Sequence, residues 1–141
     1  MTSYEKPLPD VTDGSQPFWD ACRRHELVIQ QCDSCAHRRW PIGPACTRCL
    51  SPSATWVSTP GTGRVWSWIT YHQAFNPAFA ADVPYNVALI RMDAGHTMIS
   101  NLVGIANDDI RIGQQVEVVF DDVTGEISIP RFQPVRPTNG S

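Results

Sequence analysis

The stretch Cys32-Asp33-Ser34-Cys35 is answered ten residues later by Cys46-Thr47-Arg48-Cys49, in a chain of 141 residues with one further cysteine, Cys22. Each Cys-x-x-Cys places two sulfurs on one tight turn. Two such turns set face to face supply four thiolates, the complete ligand set of a tetrahedral metal site. With every position filled by protein the site reads as structural, and zinc is favoured as its cofactor because zinc needs no redox partner. Iron uses the same four ligands, as in rubredoxin, and spacing does not separate the two metals. Disulfides are the competing use of these cysteines. The first fifteen residues carry Glu5, Lys6, Asp10 and Asp13 rather than an apolar leader, so a reducing, cytoplasmic setting is expected. Many zinc knuckles put glycine directly after the second cysteine, where the backbone turns tightly. This chain has Ala36 and Leu50 there, which predicts strained or loosened knuckles.

Working outward toward the N-terminus, residues 1–14 are polar and proline-bearing and read as a flexible segment. Ser15 is a candidate N-cap with Pro17 in the first turn, and Phe18, Ala21 and Cys22 share a face, so a short helix is expected over Gln16 to His25. Glu26 to Gln31 alternates, with Leu27 and Ile29 on one side, and reads as a strand running into the first knuckle. Between the knuckles lies a basic, aromatic turn, His37-Arg38-Arg39-Trp40-Pro41. The stretch Pro52 to Gly63 is rich in Ser, Thr, Pro and Gly and reads as a connector. Helix plus ribbon is therefore assigned to residues 15–60.

Beyond the connector the period changes to two. Val65, Ile69 and Tyr71 fall on one face of a strand, Trp66, Trp68 and His72 on the other. Further strands are expected over Tyr85 to Met92, Thr97 to Val103, Gln115 to Asp121 and Ile127 to Phe132. Five short strands of this rhythm fit an OB-type barrel over residues 61–135, where an immunoglobulin-like sandwich wants about seven. Residues 136–141 read as a flexible tail. The fold class is thus mainly β: a short N-terminal helix, a rubredoxin-like zinc ribbon and a C-terminal five-stranded OB-fold barrel.

Composition narrows the function. Apolar residues make up 42% of the chain, enough for a core, and no apolar run reaches the ~20 residues of a membrane helix. A net charge of −3 with a single lysine, Lys6, disfavours binding through phosphate backbones. The loop Gln73 to Pro84 stands out, because Phe75, Phe79 and Val83 occupy places where a surface loop is ordinarily polar. These rings either fold back on the barrel or meet a partner. His72, at the mouth of that loop, is a candidate acid or base, although an edge histidine satisfied by its surroundings is the commoner case. The acidic residues Asp82, Asp108, Asp109, Asp121 and Asp122 fall in loops or at strand ends and are read as solvated. Cys22 is read as a packed thiol. No nucleophile, base and orienting group stand out as a set, so the chain is not expected to be an enzyme by itself.

Several short motifs in order resemble the zinc-ribbon plus OB-fold proteins that accompany thiolases and related acyl-CoA enzymes, long catalogued as a domain of unknown function. They are Phe18-Trp19, Glu26-Leu27, the two Cys-x-x-Cys pairs, Trp40-Pro41 and Gly61-x-Gly63-x-Val65. After these come Pro77-x-Phe79, Pro84-Tyr85, Asn101-Leu102-Val103-Gly104, Ile112-Gly113-x-x-Val116 and Pro130-Arg131-Phe132-x-Pro134. The resemblance covers Phe18 to Pro134. Departures are Ala36, Leu50 and the Pro41-Ile42-Gly43-Pro44 run, where the family often has Pro-Pro. The resemblance implies a non-catalytic accessory subunit that docks on a thiolase-like (acyl-CoA lyase, aldolase or transferase) enzyme in a hetero-oligomer and helps bind a CoA thioester. Phe75, Pro77, Phe79, Pro84 and Tyr85 are then the candidate acyl-CoA or partner-binding residues, with Arg38, Arg39 and Arg64 candidates for the anionic diphosphate. A single-stranded nucleic-acid-binding protein is the alternative, with Trp66, Trp68 and Tyr71 as a stacking platform. Against it stand the acidic balance and the absence of basic residues interleaved with those aromatics.

Overall fold

A computed structural model describes residues 6–40, 42–74 and 76–135. The expectations for residues 1–5, Pro41, Phe75 and residues 136–141 fall outside it. Pro17 starts helix α1, Gln16–Arg23, by presetting φ at a position that needs no N–H partner. Thr12 and Ser15 bond each other across the preceding turn, so the Ser15 hydroxyl caps that turn rather than the helix. Phe18, Ala21 and Cys22 form the buried face. The chain leaves the helix through His25 at φ 60, and the His25 ring stacks on Phe120 and bonds Asp122 at 2.9 Å.

Strand β1, Leu27–Cys32, lies between β2, Arg38–Arg39, and β3, Ala54–Thr59, all antiparallel. The expected connector thus contains a strand. Thr55, Trp56 and Val57 pair with Gln31, Gln30 and Ile29, and a partner strand outweighs the loop-like composition around them. Coverage on both sides also buries β1 on both faces from Leu27 to Gln30, where alternation suggested one.

Five strands make the second sheet, in the order β6-β5-β4-β7-β8. They are β4, Thr62–Tyr71; β5, Tyr85–Met92; β6, Thr97–Ser100; β7, Gln115–Asp122; and β8, Ser128–Pro134. The sheet is antiparallel throughout and curls into a half-barrel, whose outer strands meet at a parallel bridge between Leu102 and Phe132. Gly63 lets β4 approach β5 closely: a Cβ there would lie 2.6 Å from the Arg91 carbonyl oxygen.

The facing of β4 differs from a strict period of two. Val65 pairs with Ile90 and Ser67 with Leu89, so Trp66 is the extra residue of a β-bulge. Val65 is 1% exposed and Trp68 packs on the core, whereas Trp66 and Ile69 are 54% and 53% exposed. The bulge reverses the phase, putting Val65 and Trp68 inward together and Trp66 and Ile69 outward. Trp66, Trp68 and Tyr71 therefore do not form one platform.

One cluster of buried residues joins the two sheets. Phe18, Cys22 and Leu27 pack with Val65, Ile90, Met98, Ile110, Val116 and Phe132, and Trp40 and Trp56 of the ribbon lie against the same cluster.

Candidate functional site

The four cysteines converge. Cys32 closes β1, Cys35 lies on the turn after it, and Cys46 and Cys49 bracket the second turn. Their sulfurs all lie within 4.8 Å of one another, with Cys32 and Cys49 at 3.5 Å and Cys35 and Cys46 at 3.6 Å. A tetrahedron of sulfurs 2.3 Å from zinc has edges of about 3.8 Å, so the set is the right size for zinc.

The knuckles turn as glycine would. Ala36 and Leu50 have φ of 64 and 65, and their N–H groups each donate to the first cysteine carbonyl, Cys32 and Cys46, at 2.9 Å. The geometry is kept and its cost is borne as left-handed backbone in L-residues. N–H groups of Cys49 and Arg48 hold the Cys46 thiol down at about 6, and those of Cys35 and Ser34 lower Cys32. Ser51 draws Cys49 down by the same means, yet the thiols of Cys32, Cys35 and Cys46 push it up to about 12. Four thiolates this close cannot all ionise without a cation among them, which is the electrostatic condition a divalent ion meets.

A second feature lies on the barrel. A groove of about 350 Å³ is lined by Phe79, Pro84 and Tyr85 on one side and by Asn101, Val103 and Ile105 on the other. The Pro77–Phe79 turn of 3₁₀ helix forms because Asn76 accepts from the Ala78 N–H and Pro77 presets the first residue. It carries Phe79 to 5.7 Å from Tyr85, which in turn stacks on Tyr71 at 5.1 Å. Lys6 stands 5.8 Å from the Phe79 ring and 2.5 Å from Asp82. The groove wall is held by amides: buried Asn86 bonds the N–H and carbonyl of Leu102, and Asn107 bonds the Pro84 carbonyl. Arg131 links the wall to Asp121 at 2.8 Å and to Asn101 at 2.6 Å.

Of the residues singled out in the loop, Phe79, Pro84 and Tyr85 come together at this groove, Pro77 lies in the turn that carries Phe79, and Phe75 lies outside the described residues. The three arginines sit elsewhere. Arg38 and Arg39 bond Gln31 and Gln30 across the ribbon, and Arg64 bonds the Gly113 carbonyl at 3.0 Å. His72 is exposed at the end of β4. Asp82, Asp121 and Asp122 are engaged in pairs with Lys6, Arg131 and His25. Lys6 escaped the sequence reading because it reaches the groove from the far N-terminal end of the chain with no local motif to mark it. Arg131, although part of the Pro130-Arg131-Phe132-x-Pro134 motif, is brought to Asn101 and Asp121 only by the folded sheet.

Among the described residues no helix is long and apolar enough to cross a membrane. Two family models match: the rubredoxin-like zinc ribbon domain of ChsH2 over residues 19–54, and the C-terminal OB-fold domain of ChsH2 over residues 56–121. A probable enoyl-CoA hydratase alpha subunit of Thermomonospora curvata is 37% identical over 136 residues, which are 96% of this chain and 42% of that protein. The chain thus spans about two fifths of that relative's length. A DUF35 domain-containing scaffold protein of Methanocaldococcus jannaschii is 28% identical over 98 residues, 69% of each chain. A solved structure described as Ltp2-ChsH2(DUF35) aldolase is 37% identical with a TM-score of 0.80, and the match covers 90% of this chain and 98% of that one. The chain belongs to the ChsH2 (DUF35) family, whose members join a rubredoxin-like zinc ribbon to an OB-fold.

Proposed function

We propose that the chain is a non-catalytic accessory subunit, which docks on a thiolase-like enzyme in a hetero-oligomer and holds part of a CoA thioester while the partner carries out the acyl chemistry. The observation that carries this reading is the likeness, over 90% of this chain and 98% of the other, to a chain of an aldolase described by the paired names Ltp2 and ChsH2(DUF35). The zinc ion supplies a structural clamp: Cys32, Cys35, Cys46 and Cys49 hold it and leave no position for substrate. In this reading the hydratase activity named for the Thermomonospora relative resides in the part of that protein beyond the matched 42%.

The groove supports the ligand half of the proposal. Its volume, about 350 Å³, suits a segment of a thioester rather than the whole molecule. Phe79 and Tyr85 offer ring faces to a methylene chain, the amide-rich wall suits the peptide groups of a pantetheine arm, and the Lys6–Asp82 and Arg131–Asp121 pairs make the rim polar without net charge.

The test is a titration of coenzyme A into the complex of this chain with the Ltp2 subunit, followed by calorimetry. Phe79→Ala with Tyr85→Ala is expected to weaken binding about tenfold or more, from the loss of two ring contacts at 1 kcal/mol or so each. Unchanged affinity in a complex that still assembles removes the groove from the proposal. Failure to assemble removes the subunit reading itself.

A further inference from the structure

The outer face of the half-barrel is apolar where an antiparallel sheet is ordinarily polar. Ile69 on β4, Leu89 on β5 and Ile99 on β6 all point outward, with Ser67 opposite Leu89 and Leu89 opposite Ile99 in register. Ile69 and Ile99 are 53% and 55% exposed, and Trp66, displaced outward by the bulge, is 54% exposed. The stripe crosses three strands without interruption by a charge.

At its end stand two arginines. Arg64 and Arg91 are direct cross-strand partners, both exposed, and like charges so placed repel. Arg91 lies over the Trp66 ring at 4.2 Å, and Arg64 donates to the Gly113 carbonyl. Among the described residues neither has a carboxylate within ion-pair distance. A repelling pair without counter-charge, joined to an apolar stripe, is half of an interface.

We infer that this face is where the thiolase-like partner docks, through a segment that is apolar at its centre and carries carboxylates at the end meeting Arg64 and Arg91. The inference rests on the subunit reading above and adds the surface and the chemistry of its counterpart. Charge selects the occupant. A second copy of this chain laid on the same face offers no acid, since residues 64–71, 85–91 and 97–99 contain neither Asp nor Glu. The face is also distinct from the groove, which opens between the Pro77–Phe79 turn and residues 101–105, so partner and thioester would not compete for the same side chains.

The experiment measures the affinity of the full-length, zinc-loaded chain for the Ltp2 subunit by sedimentation and calorimetry. Its variants are Ile69→Asp with Ile99→Asp, and separately Arg64→Glu. Both changes lie on exposed positions, and unaltered circular dichroism and zinc content show that the fold persists. The double variant is expected to bind about thirtyfold more weakly or worse, as for loss of an interface hot spot. Arg64→Glu is expected to bind more weakly at low salt, with a deficit that shrinks as salt rises. Hydrogen exchange on the wild type should show protection over residues 66–69, 87–91 and 97–100. If the wild type binds and both variants bind equally well, the docking face is elsewhere and the subunit reading stands. Absence of wild-type binding removes the subunit reading and this inference with it. A dimer of the chain alone that the double variant dissolves gives the face to a second copy, and overturns the inference. So does tight, salt-sensitive binding of oligo-dT that Arg64→Glu abolishes, since an arginine stacked on an exposed tryptophan is also what single strands use.

Discussion

His96 should make the protein acid-labile in a way that one substitution removes. The side chain is 4% exposed in the turn between β5 and β6, and neither ring nitrogen has a hydrogen-bond partner among the described residues. Desolvation, with the nearby Arg38 charge adding to it, pushes its pKa down to about 4 from an ordinary value near 6.5. The folded chain thus refuses a proton that the unfolded chain accepts. His96 costs nothing in pH terms above about 6.5, and stability is lost as pH falls from there toward 4, because the unfolded state binds more protons in that window. At about 1.4 kcal/mol per pKa unit the full loss is about 3 kcal/mol, of which about 2 kcal/mol falls between pH 8 and pH 5. The thiolates also take up protons in acid, so the measurement is a difference: urea unfolding of zinc-loaded wild type and of His96→Phe, followed by tryptophan fluorescence at pH 8, 6.5 and 5. The phenyl ring keeps the bulk and has no nitrogens to leave unpaired. The variant should gain on the wild type by about 2 kcal/mol across that range. Parallel stability curves, or a His96 resonance titrating near 6.5, would refute the reasoning.

The remaining predictions concern the ribbon. Ala36→Gly and Leu50→Gly should each raise stability by about 0.5–1 kcal/mol, read as a shift in urea midpoint: removing the Cβ relieves a left-handed backbone, and the looser unfolded chain returns part of the gain. No gain at either site means that the surrounding turn already absorbs the strain. Elemental analysis should find a single zinc per chain, and a colourless protein in place of a red iron one. Cys46→Ser should lose that metal while Cys22→Ser keeps it, because only Cys46 belongs to the four converging sulfurs. Chelation should lower the melting temperature of the barrel along with that of the ribbon, since Phe18, Cys22 and Leu27 share its core; a barrel transition indifferent to chelator contradicts that coupling.

What the sequence disclosed best was chemistry confined to a few consecutive residues. Two Cys-x-x-Cys turns carry their geometry within themselves, so the metal centre was legible before any strand was placed, down to the two positions where the left-handed backbone lacks its glycine. Strand β3 was hidden because Ser, Thr and Pro around Trp56 weigh toward a loop, while the pairing with Gln31, Gln30 and Ile29 that makes it a strand is a long-range contact. The groove was half legible for the same reason. Phe79, Pro84 and Tyr85 announce themselves in one loop, whereas Lys6, Asn101 and Arg131 arrive there only through tertiary folding.

The bulge at Trp66 shows how much can turn on one residue. Strict alternation puts Val65 and Ile69 on the same face and sets Trp66 with Trp68, next to Arg64, which makes a row of tryptophans the natural platform. Inserting Trp66 as an unpaired residue moves Trp68 into the core with Val65 and leaves Trp66 outside with Ile69. The cross-strand neighbour of the outward tryptophan is then Arg91, more than twenty positions away in sequence and therefore invisible to any reading of local composition. A face that alternation would make a row of tryptophans becomes an aliphatic stripe ending in two guanidiniums, Arg64 and Arg91. That is a surface suited to an acidic, apolar protein segment more than to stacked bases, because the one inserted residue takes Trp68 out of the row that stacking would use.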